Sequence, residues 1–326
     1  MSNEELTINM NFFGDYVEIL RNRLIADGFL VDPPTSHREQ HRICNEYFYH
    51  KIRKVAAIPR TVLQSNEFTC PAPHQAGLDL VIEKIQNGTD LTPHLHRPIE
   101  TLGHPDPLLT DWGIHHLHLG TRPYPRDPRF VDRTGLVLFV RFDNENAYLL
   151  TVMEHGRGHK PWIKQELVRI IHRNWPNIIQ EYKININLGT TYTEEEHGQL
   201  RNAGIVDCIT MDDGMVYTPI GGGFASNGTS IEVVKICDFF ANGLRKGENE
   251  IRTQINAIVE HHRVRGRTVG SDLEFQLEVV HDVFINGEMI FRAVEQRSEL
   301  QVLLRIRKSN DGFRIILDFP EKIEPS

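Results

Sequence analysis

The spacing of apolar residues changes along this chain, and that change restricts the fold more than any other feature. In the first hundred residues, apolar side chains such as Tyr16, Leu20 and Leu24 recur with a period near 3.6, the pattern of an amphipathic helix. From Ile114 onward many of the apolar runs are short and rich in β-branched residues, which is typical of strands. Helices and antiparallel strands in separate stretches of one chain predict an α+β fold.

The length of the chain predicts more than one domain. Its 326 residues exceed the size, about 250 to 300 residues, at which a single hydrophobic core usually stops growing. We expect a helical region in residues 1–110, a central histidine-bearing sheet with one helix in residues 111–182, and a C-terminal α+β domain in residues 183–326.

Three strands are predicted in the central region, in residues 114–119, 136–142 and 148–153. Residues 143–146 form a polar turn between the last two strands, so the pattern indicates an antiparallel sheet. A helix is expected to follow in residues 162–175, where apolar side chains return to helical spacing.

The C-terminal region combines helices with a run of strands. Thr193 and Glu196 have the spacing of a capping box at the start of a helix. Two further helices are predicted in residues 231–244 and 248–262, followed by a four-stranded antiparallel meander. The glycine-rich residues 221–230 favour either a chain crossing that only glycine permits or a loop that contacts an anion.

Composition and charge restrict the functional class. The chain contains 40% hydrophobic and 25% charged residues and carries a net charge of −8, which argues against non-specific binding of nucleic acid by its whole surface. No apolar run approaches the ~20 residues of a membrane-spanning helix. The first residues are acidic where a signal peptide is basic, so we expect a cytoplasmic protein without membrane contact.

Histidines are the strongest indication of chemistry. Six of the 17 histidines fall between His94 and His118. Because side chains alternate across a strand, His116 and His118 are expected on one face and His115 on the other. Histidine ligates metals and transfers protons near neutral pH, so this pair is interpreted as a metal half-site, as acid and base partners, or as structural side chains.

Two further patterns extend this candidate site. The link in residues 121–134 contains four arginines, of which Arg122 and Arg126 are expected to contact phosphate. In the alternative with a metal, His116 and His118 combine with His155 and His159 to hold zinc or another transition metal. Two glycines between His155 and His159 argue against the helix that an HExxH zinc motif requires.

The central strands resemble the core of RelE/ParE-type bacterial toxins. The resemblance covers roughly residues 113–159: a first strand with polar side chains, an apolar hairpin with an Asp-Asn turn, and a histidine after its last strand. It implies a metal-independent ribonuclease, with His116 and His118 on the first strand, Arg141 on the second and His155 after the hairpin. The segment from Leu108 to Gly120 is also similar to segments of uncharacterised bacterial proteins, which implies a bacterial or phage source.

Three functions follow from these patterns. The first is a bacterial ribonuclease-like toxin or defence effector that acts on RNA without a cofactor. A protein partner such as an antitoxin is compatible with this function, but the sequence does not show whether one exists. In this function, His116, His118, His155 and Arg141 act catalytically. The substrate-binding residues are Arg122, Arg126, His115 and His159. The second is a metal-dependent hydrolase that uses the same histidines with zinc, and the third is a non-catalytic interaction or scaffold protein.

Overall fold

The computed structural model describes residues 6–155, 164–186, 191–225, 228–285, 288–298, 300–309 and 312–318. The helices are α1 (Phe12–Ala26), α2 (His37–Arg53), α3 (Gln75–Asn87), α4 (Pro107–Trp112), α5 (Glu166–Asn174), α6 (Glu194–Asn202) and α7 (Ile231–Arg263). The strands are β1 (Thr7–Asn9), β2 (Thr61–Gln64), β3 (His115–His118), β4 (Pro123–Tyr124), β5 (Asp127–Val131), β6 (Leu136–Phe142), β7 (Asn146–Glu154), β8 (Lys183–Ile184), β9 (Ile209–Thr210), β10 (Val216–Tyr217), β11 (Asp272–Ile285), β12 (Glu288–Glu295), β13 (Gln301–Ser309) and β14 (Gly312–Asp318). The predicted α+β class is confirmed. None of the described helices is both long enough and apolar enough to cross a membrane.

The chain forms two compact units. Unit 1 comprises Met1–Tyr47 with Lys235–Ser326, and unit 2 comprises Phe48–Val234. Unit 2 therefore contains the central sheet together with the second half of the predicted helical region. The division into three domains stays a prediction, because compactness in the folded chain does not test which segments fold on their own.

Unit 1 is built on a five-stranded sheet in the order β1-β11-β12-β13-β14. The last four strands form the predicted antiparallel meander, and β1 adds a short parallel strand beside β11. Side chains of β12 alternate between buried and half-buried, as expected for a sheet with one covered face. On the covered face, Tyr16 of α1 stacks on Phe240 of α7 with ring centres 4.7 Å apart.

Helix α7 corrects one prediction. The two helices expected in residues 231–244 and 248–262 are one continuous helix of 33 residues. Gly243 and Gly247, next to the expected break, lie where the helix passes close to strand β13. A Cβ on Gly247 would lie 2.6 Å from Cδ2 of Leu304, and a Cβ on Gly243 would lie 3.2 Å from Cδ1 of Ile306. These glycines therefore allow close packing of helix on sheet.

Unit 2 is built on a four-stranded sheet in the order β2-β7-β6-β3. Strands β3, β6 and β7 are antiparallel and lie where they were predicted. The sheet is mixed rather than purely antiparallel, because β2 pairs with β7 in parallel. Strand β2 has only four residues, too few to show an alternating pattern in the sequence.

Helices cover both faces of this sheet. On one face, Leu78, Val81 and Ile85 of α3 pack against Leu117 and other strand residues. On the opposite face, α5 packs against a core that includes Trp112, Val137, Phe139 and Leu150. Helix α5 confirms the helix predicted in this region, although the first residues of that prediction, 162 and 163, lie outside the described chain.

The glycine-rich segment crosses another part of the chain. The backbone N–H of Gly221 donates to the carbonyl of Asp111 at 2.8 Å, and that of Gly223 donates to the carbonyl of Thr110 at 3.0 Å. A Cβ on Gly221 would lie 2.4 Å from the carbonyl oxygen of Leu109, so only glycine fits this position. The described part of the segment is thus a chain crossing. The predicted capping box of Thr193 and Glu196 is also present.

Candidate functional site

Four histidine rings come together beside the edge strand β3 of unit 2. We call them the histidine cluster: His96, His116, His118 and His155. The ring centres of His116 and His155 lie 4.4 Å apart, and the centres of the other contacting pairs are 5.7 to 6.4 Å apart. The structure therefore brings together three of the predicted histidines and adds a fourth.

Strand geometry explains this arrangement. His116 and His118 point to one face of β3, whereas His115 points to the other, where its ring lies 5.6 Å from that of Phe142. His155 follows β7, and its backbone N–H donates to the carbonyl of Gly135 at 2.9 Å. The alternation predicted from the sequence therefore places the side chains of His116 and His118 towards His155.

His96 reaches the cluster from a loop. It caps a short 3-10 helix, Arg97–Glu100. Arg53 holds this loop, because its buried guanidinium donates to the carbonyl of Thr101 at 2.9 Å and also to the carbonyl of Pro98. The position of His96 therefore depends on contacts with α2 that are distant in sequence.

Half of the eight ring nitrogens in the cluster are buried without a hydrogen-bond partner among the described residues. His116 and His118 are buried, with 8% and 5% of their surface exposed. Nε2 of His116, both nitrogens of His118 and Nδ1 of His155 are buried without a partner in the described structure. Buried polar groups usually have partners, and leaving one unsatisfied costs about 1 to 3 kcal/mol. Four unsatisfied nitrogens on three contacting rings make the cluster a candidate site.

Burial is the main cause of the low basicity of these rings. It lowers the pKa of His96 to about 4 and that of His118 to about 3, with the charge of Arg133 as the second cause in both. The pKa of His116 also lies well below its usual value, through burial and the neighbouring histidines, and the pKa of His155 is lowered by burial and Arg133. At neutral pH the rings are therefore uncharged, which is the form of imidazole that ligates a metal.

The spacing of the rings can be compared with that of a zinc site. With Zn–N bonds of about 2.1 Å and tetrahedral angles, the centres of two imidazole ligands lie about 5 Å apart. The observed spacings of 4.4 to 6.4 Å bracket this value. In the side-chain positions that the structure describes, no three His, Cys, Asp or Glu residues are arranged to hold a metal ion. Coordination would therefore require the rings to turn about their side-chain torsions.

A cavity of about 280 Å³ adjoins the cluster. His96, His116 and His155 line it together with apolar side chains such as Leu95, Ile99 and Leu108. Its volume is slightly below the range of about 300 to 1,000 Å³ that is usual for ligand pockets. The cavity thus suits a small substrate, or a small part of a larger one.

Two polar groups other than histidines line this cavity. They are the Arg53 guanidinium, already described, and the Asp106 carboxyl. Asp106 caps α4 by accepting the N–H of Leu109 at 3.1 Å. Burial raises the pKa of Asp106, while this hydrogen bond lowers it. Burial is the larger effect, so the pKa of the Asp106 carboxyl beside the cavity is raised above its usual value.

The structure places Arg141 in a different environment. One nitrogen of its guanidinium donates to the carbonyls of Trp112 at 2.9 Å and Ile220 at 3.1 Å. The guanidinium also lies 6.0 Å from the ring centre of Tyr182. The catalytic role of Arg141 stays a prediction, and its contacts assign it a structural role.

Arg141→Met should lower the free energy of unfolding by about 2 to 3 kcal/mol, because two carbonyls lose a charged donor. Urea denaturation followed by circular dichroism measures this change. The exposed Arg126 provides a control, and Arg126→Met should change stability by less than about 0.5 kcal/mol. Normal stability of Arg141→Met, combined with lost activity, would instead favour the catalytic role.

The remaining predicted residues do not join the cluster. Arg122 is exposed at the base of the β4–β5 hairpin, and Arg126 is exposed in its turn. His115 lies on the opposite face of β3, where its Nε2 is 3.3 Å from the carbonyl oxygen of Ile52, and it also lines the cavity. His159 lies outside the described residues.

The arginine-rich link in residues 121–134, which contains Arg133, was expected to contact phosphate, but sequence reasoning missed three other residues near this site: His96, Arg53 and Asp106. Only His96 had a signal, since it belongs to the run of six histidines. The others lie in helices or loops whose approach to the cluster has no periodic pattern.

Comparison of the chain with protein-family models, curated proteins and solved structures finds no match. The resemblance to RelE/ParE-type toxins is therefore not tested by any relative. The geometry of the histidine cluster is the basis for assigning a function.

Proposed function

We propose that this chain is a metal-dependent hydrolase whose histidine cluster holds a transition metal, with zinc as the first choice. One observation carries the proposal. Buried ring nitrogens of His116, His118 and His155 have no hydrogen-bond partners in the described structure, and their rings contact one another. A metal ion would satisfy these nitrogens together.

The type of ligand favours zinc or a similar ion. Imidazole nitrogens suit zinc, copper, iron and nickel, whereas calcium and magnesium prefer oxygen ligands. Three protein ligands with a fourth position left open are typical of catalytic zinc. His116, His118 and His155 would provide three nitrogens, and His96 would provide a fourth or stay beside the open position.

The cavity supports hydrolysis rather than a purely structural metal. When bound, zinc supplies a Lewis acid that polarises the substrate and activates water. His96, His116 and His155 face the cavity, so a small substrate can reach the cluster. Asp106 also lines this cavity, and burial raises the pKa of its carboxyl.

Purified protein should contain about one equivalent of metal per chain, measured by plasma mass spectrometry after dialysis against zinc and then against buffer. The double variant His116→Ala with His118→Ala should lose this metal, because it removes two of the ligands. Absence of metal from the wild-type protein, or full retention in the double variant, would contradict the proposal.

The chain offers a matched control for this experiment. His37 and His41 are two histidines on α2, and their ring centres lie 4.6 Å apart. The double variant His37→Ala with His41→Ala removes the same number of imidazoles from a place outside the histidine cluster. It should keep the metal content of the wild type, which separates specific binding from adventitious binding by histidine pairs.

A metal-free ribonuclease of the toxin or defence type is the second candidate. The observation that favours it is a cation, Arg133, in the segment whose next two residues, Thr134 and Gly135, hydrogen-bond to Leu119 and His155. In this function a neutral ring accepts a proton and another ring donates one. The low pKa values leave little imidazolium at neutral pH, so we rank this function second. Cleavage of RNA that persists in the presence of a chelator would support the metal-free ribonuclease. The antitoxin partner and the scaffold function stay predictions.

A further inference from the structure

Arg133 lies beside the histidine cluster, at its exposed edge. The next residue, Thr134, accepts the backbone N–H of Leu119 on its side-chain oxygen at 3.1 Å. The residue after that, Gly135, accepts the backbone N–H of His155 at 2.9 Å. These two hydrogen bonds fix the segment that carries Arg133 between the end of β3, next to His118, and His155.

The charge of Arg133 is not neutralised by the rest of the described chain. Arg129, in the same loop, forms ion pairs with Glu100 at 2.6 Å and Asp127 at 2.9 Å, whereas no carboxylate of the described residues pairs with Arg133. Arg133 is exposed, so an anion in solution can reach it. An unpaired cation next to uncharged rings is suited to receive an anion.

The backbone of a second arginine, Arg122, lies near the backbone of Arg133. Asp132 donates its N–H to the carbonyl of Arg122 at 2.8 Å, so Arg122 and Arg133 both lie at the base of the β4–β5 hairpin. Both are exposed. A guanidinium group and a metal fit a phosphoryl group better than a carboxylate, because phosphate offers more charged oxygens to share between them.

We propose that the substrate is a phosphate ester and that Arg133 binds its phosphoryl group beside the histidine cluster. This inference rests on the proposed metal-dependent hydrolase. In the reaction, the water oxygen forms a bond to phosphorus and the bond from phosphorus to the alcohol oxygen breaks. The alcohol then leaves with one of the protons of the water.

Calorimetric titration of the zinc-loaded protein with inorganic phosphate tests this inference. Arg133→Gln should weaken phosphate binding about tenfold or more, since a hydrogen-bonded charge is lost. Arg133→Lys should recover part of the affinity, because it keeps the charge but not the planar fork. Arg38→Gln, which removes another exposed arginine, on α2, should bind phosphate as the wild type does.

Zinc content measured on the same samples separates the two proposals. We expect about one equivalent of zinc in the wild type and in all three variants, because Arg133 and Arg38 are not ligands. If zinc is retained but Arg133→Gln binds phosphate as tightly as the wild type, or the wild type does not bind phosphate, the phosphate inference is overturned and the metal site stands. If the wild type holds no zinc, both proposals are overturned.

Discussion

Gly77→Ala should lower the free energy of unfolding by about 3 kcal/mol, a large part of the stability of a typical domain. A Cβ built on Gly77 would lie 1.9 Å from the carbonyl oxygen of Leu119. Gly77 is in α3, and Leu119 follows His118 at the end of β3. The helix would have to move away from the strand, and its contacts with the sheet would weaken. Urea denaturation followed by tryptophan fluorescence measures the change.

Gly270→Ala provides the control for this prediction. Gly270 is exposed, and among the described residues other than its chain neighbours no atom lies within 4 Å of the position that a Cβ would occupy. Its substitution should change stability by less than about 0.5 kcal/mol. Equal stabilities of Gly77→Ala and Gly270→Ala would show that α3 does not pack as closely on β3 as the structure describes.

The close approach at Gly77 shows what sequence patterns leave out. The period of apolar residues in α3 predicted the helix and its buried face, with Leu78 and Ile85 inward. Which strand would lie under that face depends on the path of residues 88–114, and this path has no periodic signal. The sequence therefore predicted the element but not its neighbour.

The histidine cluster also contains residues that a sequence pattern places and residues that only the tertiary structure places. His116 and His118 share a face because strand geometry has a period of two, and the sequence showed this directly. The predicted turn in residues 143–146 defined a hairpin, and His155 follows the second strand of that hairpin in the sequence. His96 was not identified as a site residue, because Arg53 and a short 3-10 helix set its position rather than a regular element.

Arginines were harder to interpret than histidines. Arg141 on β6 has the appearance of a catalytic cation in the sequence, but its acceptors, Trp112 and Ile220, are 29 and 79 residues away along the chain. In the loop of residues 121–134, the four arginines look equivalent. The fold pairs Arg129 with carboxylates and leaves Arg133 beside the cluster. Only the tertiary structure distinguishes these roles.

Removal of the metal with a chelator should reduce hydrolysis of a phosphate ester, such as bis(p-nitrophenyl) phosphate, by about a thousandfold, and zinc should restore it. A metal that stabilises the transition state by several kcal/mol supplies a factor of about this size. The variant His116→Ala with His118→Ala should stay inactive after zinc is added, because its ligands are missing.

This experiment needs a control variant, His37→Ala with His41→Ala, and a second substrate. That variant should lose activity in chelator and regain it with zinc, as the wild type does, since its histidines lie outside the cluster. A labelled RNA provides the second substrate. One outcome is that the wild type cleaves RNA equally with and without chelator, while the double variant His116→Ala with His118→Ala does not cleave it. In that case the same cluster acts by acid–base chemistry without a metal. The metal-dependent hydrolase and the metal-free ribonuclease thus share their residues but differ in the response to chelator. Only the metal-dependent hydrolase needs the ion that the unpartnered nitrogens of His116, His118 and His155 would bind.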